Sequence, residues 1–260
     1  MNETTLTYQE MTLSSRELIV PSSSYQRPFR PEHAMAITNK FDEHLANEPK
    51  VSYRGGNYYV FDGQHTIAAR KNLNGGNDVL VKCKVYYDLT EEDEALLFAQ
   101  QFGESSALTA GIRMRALVFG KDPDALAFVS ATEAAGIHLD FDQKRGRNRM
   151  GCIYTAFREF QSVGADVYTE ALEIVREAWD GEPQSMRGEI VQSVIKFVSI
   201  YHDEYNRRRL VRRLSGYDPL TIYREGQAMG VNMPGHKKYL FQVFRIYNGG
   251  SRKTSLPMKF

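Results

Sequence analysis

The 260-residue sequence predicts an α+β module followed by an all-α helical domain. Short, β-branched, alternating segments are confined to the first hundred residues, where a Gly55-Gly56 pair supplies a hairpin turn. Beyond them, apolar residues recur at helical spacing and no strand is read. The composition, 42% hydrophobic and 25% charged, is that of an ordinary globular protein.

Residues 1–13 are polar and aperiodic, a tail or an added edge strand. Glu17–Val20 forms a short strand that Pro21 stops, since proline has no N–H for a ladder. A loop through Tyr25, Gln26 and Arg27 leads to Pro31, which opens a helix carrying Met35, Ile37, Phe41 and Leu45. Lys50–Tyr53 and Asn57–Phe61 pair as a hairpin, a helix runs over Thr66–Leu73, and Val79–Tyr87 is a strand. Thr90 caps an acidic helix start that continues through Phe102. The α+β domain therefore covers 14–105. Connecting helices fill 106–142, with a polar, basic hinge over 140–149. The helical domain, 143–260, has helices over 152–163, 167–179, 188–205, 207–214, 217–230 and 235–247.

No apolar run approaches the ~18 residues of a membrane span, and the N-terminus lacks the pattern of a signal peptide, so a cytoplasmic location is expected. Cys83 and Cys152 lack CxxC spacing and read as buried thiols. The formal charge of +1 conceals a division: residues 1–142 carry 13 Lys+Arg against 20 Asp+Glu, and residues 202–260 carry 12 against 4. A basic C-terminal part suits an anionic partner, or attraction between the two ends of the chain. Lys144, Arg145, Arg147 and Arg149, then Arg207, Arg208 and Arg212, are the candidate nucleic-acid contacts. HExxH, Walker-type, GxSxG and zinc spacings do not occur.

The stretch YVFDGQHTIAARKNLNGG, Tyr59 to Gly76, passes from strand to helix through Asp62-Gly63-Gln64-His65. A helix start presents unpaired N–H groups and partial positive charge, and glycine admits a ligand close to the backbone. Gly63, Gln64, Thr66, Arg27 and Arg70 are the candidate phosphate or nucleotide contacts. Asp62 and His65 are the candidate catalytic pair, with His65 as acid/base and Asp62 holding a metal or a sugar hydroxyl. The alternative is a plain turn in which Asp62 and Thr66 only cap.

This segment, with Val20-Pro21 and Tyr25-Gln26-Arg27 before it and Val79–Val85 after it, resembles the ParB/sulfiredoxin-like superfamily over residues 14–105. The resemblance implies a phosphate-binding turn, a bacterial or phage setting, a nucleotide such as ATP, ADP or CTP with Mg²⁺, and DNA as partner. A homodimer is open, and no membrane is expected. The arginine that usually follows the motif histidine is Thr66 here, and Gln64 stands where sulfiredoxins carry cysteine. The leading expectation is a DNA-associated protein gripping a phosphate at Asp62–Thr66. The alternatives are a nucleotide-dependent enzyme using His65, with Asp62 or Glu104 holding metal, and a non-catalytic relic of the fold that binds partners.

Overall fold

The computed structural model describes residues 7–21, 25–100, 108–229, 233, 235–249 and 255–260. The chain divides into two compact units, 1–122 and 123–260. Helices and a mixed five-stranded sheet make the architecture mixed α/β.

The first unit contains β1 (Tyr8–Ser14), β2 (Leu18–Ile19), α1 (Pro31–Thr38), β3 (Lys50–Arg54), β4 (Asn57–Asp62), α2 (Gln64–Leu73), β5 (Leu80–Tyr87), α3 (Glu91–Ala99) and α4 (Ala110–Phe119). The sheet order is β1-β5-β3-β4-β2. β1 runs antiparallel to β5 with Met11 opposite Cys83, β3 lies parallel to β5, and β2 lies parallel to β4. Strand alternation divides the core. Leu13, Val51, Val60, Val81, Cys83 and Val85 pack with Ile67 of α2, while Phe61 packs with Tyr25, Phe98 of α3 and Ala116 of α4. β4 thus buries both faces at its end, Val60 in one cluster and Phe61 in the other, whereas β5 alternates buried and exposed positions.

Residues 8–14 are an edge strand rather than a tail. α1 stops at Thr38, well before Leu45. Past it, Asp42 takes the backbone N–H of His44 at 2.9 Å and turns the chain, and Leu45 is 79% exposed. The apolar spacing that extended the expected helix is therefore coincidental at that position. Thr90 caps α3 through a complete capping box with Asp93, and the expected end of that helix at Phe102 lies outside the described residues.

The second unit contains α5 (Pro123–Ala134), β6 (His138–Leu139), β7 (Arg149–Met150), α6 (Ile153–Val163), α7 (Ala165–Trp179), α8 (Gly188–Ile200), α9 (Arg207–Leu214), α10 (Pro219–Ala228) and α11 (Lys237–Asn248). α8 is its centre, burying Ile190, Val191, Val194, Ile195, Phe197 and Val198, a helix apolar on most sides because α6, α7, α10 and α11 surround it. Expecting this part to be wholly helical was incorrect. β6 and β7 pair in parallel at the two ends of the expected hinge, because Asp140 accepts the N–H of Asp142 at 2.9 Å and folds the chain back until Met150 is buried. Two-residue strands are too short to leave an alternating pattern. At Gly181 (φ +67), a Cβ would fall 1.7 Å from Asn148 Oδ1, so only glycine admits the approach of that loop to the end of α7.

Candidate phosphate-binding cleft and basic surface

β4 ends at Asp62, and Gly63 turns the chain with φ +96, a left-handed conformation that glycine adopts freely. A Cβ there would lie 2.9 Å from Pro49 Cα, so the turn is pressed against the segment leading into β3. α2 begins at Gln64, two residues earlier than the sequence suggested, which places Gln64, His65 and Thr66 in its first turn. Among the described residues no side chain takes the N–H groups of Gln64, His65 or Thr66; the Asp62 carboxyl meets the Gly63 N–H, so Asp62 and Thr66 do not cap the first turn of this helix. Instead, residues 62–66 line a cleft of about 270 Å³, together with Gln26, Arg27, His33, Ile37, Asn47 and Phe98.

Residues 25–30 lie against that turn. Tyr25 is fully buried and donates its hydroxyl to Glu94 Oε2 at 3.0 Å, and Glu94 in turn accepts Arg54 Nε at 2.9 Å. Gln26 donates its side-chain amide to the Val60 carbonyl at 2.7 Å, and Gln64 donates its own to the Arg27 carbonyl at 2.7 Å. The Arg30 N–H is donated to His65 Nε2 at 3.1 Å. Gln64 and His65 thus hold the preceding loop with their side chains, while the backbone of the same helix start remains uncapped.

The electrostatics of the cleft follow from partial burial. Burial pushes the Asp62 carboxyl above its usual range, opposed by Lys50, a hydrogen bond from the Gly63 backbone and Arg27. Burial lowers the Arg27 guanidinium, with Asp62 working against that shift, and arginine remains charged. Burial, reinforced by His33, Arg27 and Arg30, pushes His65 down to about 4. Its ring stacks on Phe29 (centroids 5.2 Å apart, 15° between planes) and meets the edge of His33 at 4.8 Å. A general acid or base works best with a pKa near the operating pH. His65 is neutral there and its Nε2 is engaged, an arrangement that suits positioning better than proton transfer.

Arg70 is not brought to the cleft. Its guanidinium pairs with Glu43 at 2.6 Å and lies over the Phe41 ring, so it cannot replace the arginine that the motif lacks. Among the described residues, no group of three or more His, Cys, Asp or Glu is placed to hold a metal, and Glu104 lies outside them. Sequence reasoning missed Glu94 and the glutamine clamp. A buried carboxylate in an acidic helix start looks like its solvated neighbours, and nothing in the sequence near Gln26 distinguishes it.

In the second unit the basic residues divide into two kinds. Arg207 pairs with Glu173 at 3.2 Å and Glu177 at 2.6 Å on α7, and Arg209 donates to the carbonyls of Tyr247 and Asn248 at the end of α11. Arg213 packs against Gly249. Arg208 and Arg212 are exposed. Around β7, Arg147 pairs with Asp180 and Arg149 with Asp140 at 3.3 Å, whereas Lys144 and Arg145 are exposed. Glu173 and Glu177 lie on α7 and Asp180 caps its C-terminal end, so α7 and its cap gather two basic clusters that are distant in sequence, Asp180 holding Arg147 and Glu173 and Glu177 holding Arg207. Its acids neutralise Arg147 and Arg207 and leave Lys144, Arg145, Arg208 and Arg212 for solvent or a partner.

The chain belongs to the DUF6551 family, described as a family of unknown function, whose profile matches residues 20–260. No curated protein and no solved structure matches it. Among the described residues, no helix is long and apolar enough to cross a membrane.

Proposed function

We propose that the protein is a ParB/sulfiredoxin-like, DNA-associated binding protein that seats a phosphate of a nucleotide or nucleic acid at the Asp62–Thr66 turn. The observation that carries this reading is the uncapped start of α2 lining a cleft together with Arg27. Unpaired N–H groups at a helix start, the positive end of its dipole and one guanidinium are the elements of an oxyanion site. The motif resemblance over residues 14–105 points to the same turn. Lys144, Arg145, Arg208 and Arg212, exposed in the second unit, are cations of the kind a polyanionic backbone would contact. Binding is favoured over catalysis because His65 is neutral and hydrogen-bonded to Arg30.

The test is an amide-detected NMR titration of the full chain with inorganic phosphate. The signals of Gln64, His65 and Thr66 should move in a saturable way, and Arg27→Ala should weaken the response at least ~10-fold, the scale of losing one charged hydrogen-bonding partner. Movement confined to other regions, or none, would remove the assignment.

A further inference from the structure

We infer that the cleft is built for a singly charged phosphodiester of a single nucleic-acid strand, with the adjoining base laid on Phe29, in preference to a nucleoside triphosphate. This rests on the reading of the cleft as a phosphate site and narrows it by charge, volume and shape.

Charge comes first. Among the described residues that line the cleft, Arg27 is the one arginine or lysine and Asp62 the one carboxylate. A triphosphate, even with a divalent ion attached, would bring several negative charges toward a half-buried carboxyl with a single lining guanidinium to meet them, and like charges in a partly desolvated site repel. His65 does not make up the difference. Nε2 of His65 accepts the N–H of Arg30, a role only an unprotonated nitrogen can fill, so this ring adds a dipole and no charge. Lys50 acts on Asp62 and Arg30 on His65 without either lining the cavity. A single negative charge suits a lining of one guanidinium and one carboxyl better than several do.

Volume agrees. Sites that enclose a drug-sized ligand usually measure roughly 300–1,000 Å³. At about 270 Å³ this cleft holds a phosphate and part of a sugar, and the rest of the ligand must lie outside. Ile37, Leu45, Ala46 and Phe98 provide an apolar wall for a sugar rather than further cations for a polyphosphate.

Shape supplies the base. Phe29 is 50% exposed, does not line the cavity, and is held in place from behind by its stack on His65, which His33 braces edge-on. Its exposure next to a phosphate cleft is otherwise unexplained, because a large apolar ring gains by burial. A fixed aromatic face beside a phosphate seat is what single-strand readers present to a base.

The dinucleoside monophosphate dTpdT tests the proposal, because it carries one phosphodiester and is too short to exploit the basic surface of the second unit. The full chain is titrated with dTpdT, thymidine, inorganic phosphate, and ATP or CTP with Mg²⁺, following the amides of Gln64–Thr66. The expected result is tighter binding of dTpdT than of either triphosphate, weakened roughly 5- to 100-fold by Phe29→Ala, the range for one stacked base. Phe29→Tyr should restore it, and the loss in Phe29→Ala should be larger for dTpdT than for inorganic phosphate. Triphosphates binding more tightly at these amides, or dTpdT indifferent to Phe29→Ala, would overturn the inference while leaving a phosphate site in place. If no phosphate compound moves these amides, both readings fall.

Discussion

Nε2 of His65 accepts the backbone N–H of Arg30 at 3.1 Å, tying the first turn of α2 to the loop that precedes α1. The bond exists only while His65 is unprotonated at that nitrogen. Its pKa is pushed down to about 4, against an ordinary value of 6.5, so between these values the unfolded chain binds the extra proton and the folded chain does not. Stability from this residue is therefore full above about pH 6.5 and is lost as the pH falls toward 4. Asp62 acts in the opposite sense, since its raised carboxyl retains a proton to higher pH when folded. A comparison of variants isolates the histidine. His65→Gln keeps an acceptor near the Nε2 position and removes the titration, so it should match wild type at pH 7.5 and lose less stability between pH 6.5 and 4. The check is urea unfolding across that range, with the ring carbon shifts of His65 constant down to about pH 5.

Glu94 is fully buried and accepts from both Tyr25 and Arg54. Removing one partner from such a pair leaves the others desolvated and unsatisfied, which costs about 3–5 kcal/mol for a buried ion pair. Glu94→Ala should fall near the lower end, because Arg54 retains Glu91 at 2.8 Å. Tyr25→Phe removes the hydrogen bond to the Glu94 carboxylate and the long one from Gln26 at 3.5 Å, and should cost about 1.5–3 kcal/mol, the scale of a hydrogen bond to a charged group. Measured by denaturant unfolding, the two losses should be less than additive in the double variant, because one hydrogen bond is counted in both. Simple additivity would show that the contact between them contributes nothing.

The strands and the turn were legible in the sequence because each leaves a local mark. Val79–Tyr87 alternates, Gly55-Gly56 supplies positive φ at both positions, and Asp62-Gly63 stands between an aromatic-rich run and a helix. What was not legible depends on distant partners. Nothing local states that Gln64 will hold the Arg27 carbonyl, that Arg70 will turn away to Glu43, or that Arg207 will be neutralised from α7. The density of arginines in α9 was visible, but helical spacing alone could not assign each one. The amphipathic pattern marks which face is buried, and the C-terminal carbonyls of α11 decide that Arg209 is used internally.

Gly63 and Gly55 both adopt positive φ, at +96 and +56, but their surroundings differ. Nothing lies within 4 Å of a Cβ added at Gly55, whereas one at Gly63 meets backbone Pro49 Cα at 2.9 Å. Gly55→Ala should lose only the conformational penalty, about 1 kcal/mol. Gly63→Ala adds displacement of the segment entering β3 and should cost about 2–3 kcal/mol, on the upper side of single-site backbone strain. It should also displace the start of α2, so the phosphate response of the Gln64–Thr66 amides declines even under conditions where the variant remains folded. Equal losses at the two glycines, read from urea midpoints, would mean that Pro49 yields without cost.

Arg208 and Arg212 are exposed on α9, while Arg207 on the same helix already has two glutamates. A phosphate contact releases counterions, and each one contributes about 0.9 to the slope of log affinity against log salt on duplex DNA. If α9 meets a nucleic-acid backbone, Arg208→Ala with Arg212→Ala should lower that slope by about 2 and leave thermal stability unchanged, since neither side chain supports the fold. Arg207→Ala should behave in the reverse way. Its charge is spent on Glu173 and Glu177, so its loss removes at most about 1 kcal/mol of partly exposed ion pairing and scarcely alters the slope. Measuring duplex affinity between about 50 and 200 mM salt, the range over which such slopes are evident, distinguishes the two. A slope that Arg207→Ala reduces as much as the double variant would show that the α7 glutamates release Arg207 on binding, and an unaltered slope in every variant would place the nucleic-acid surface elsewhere.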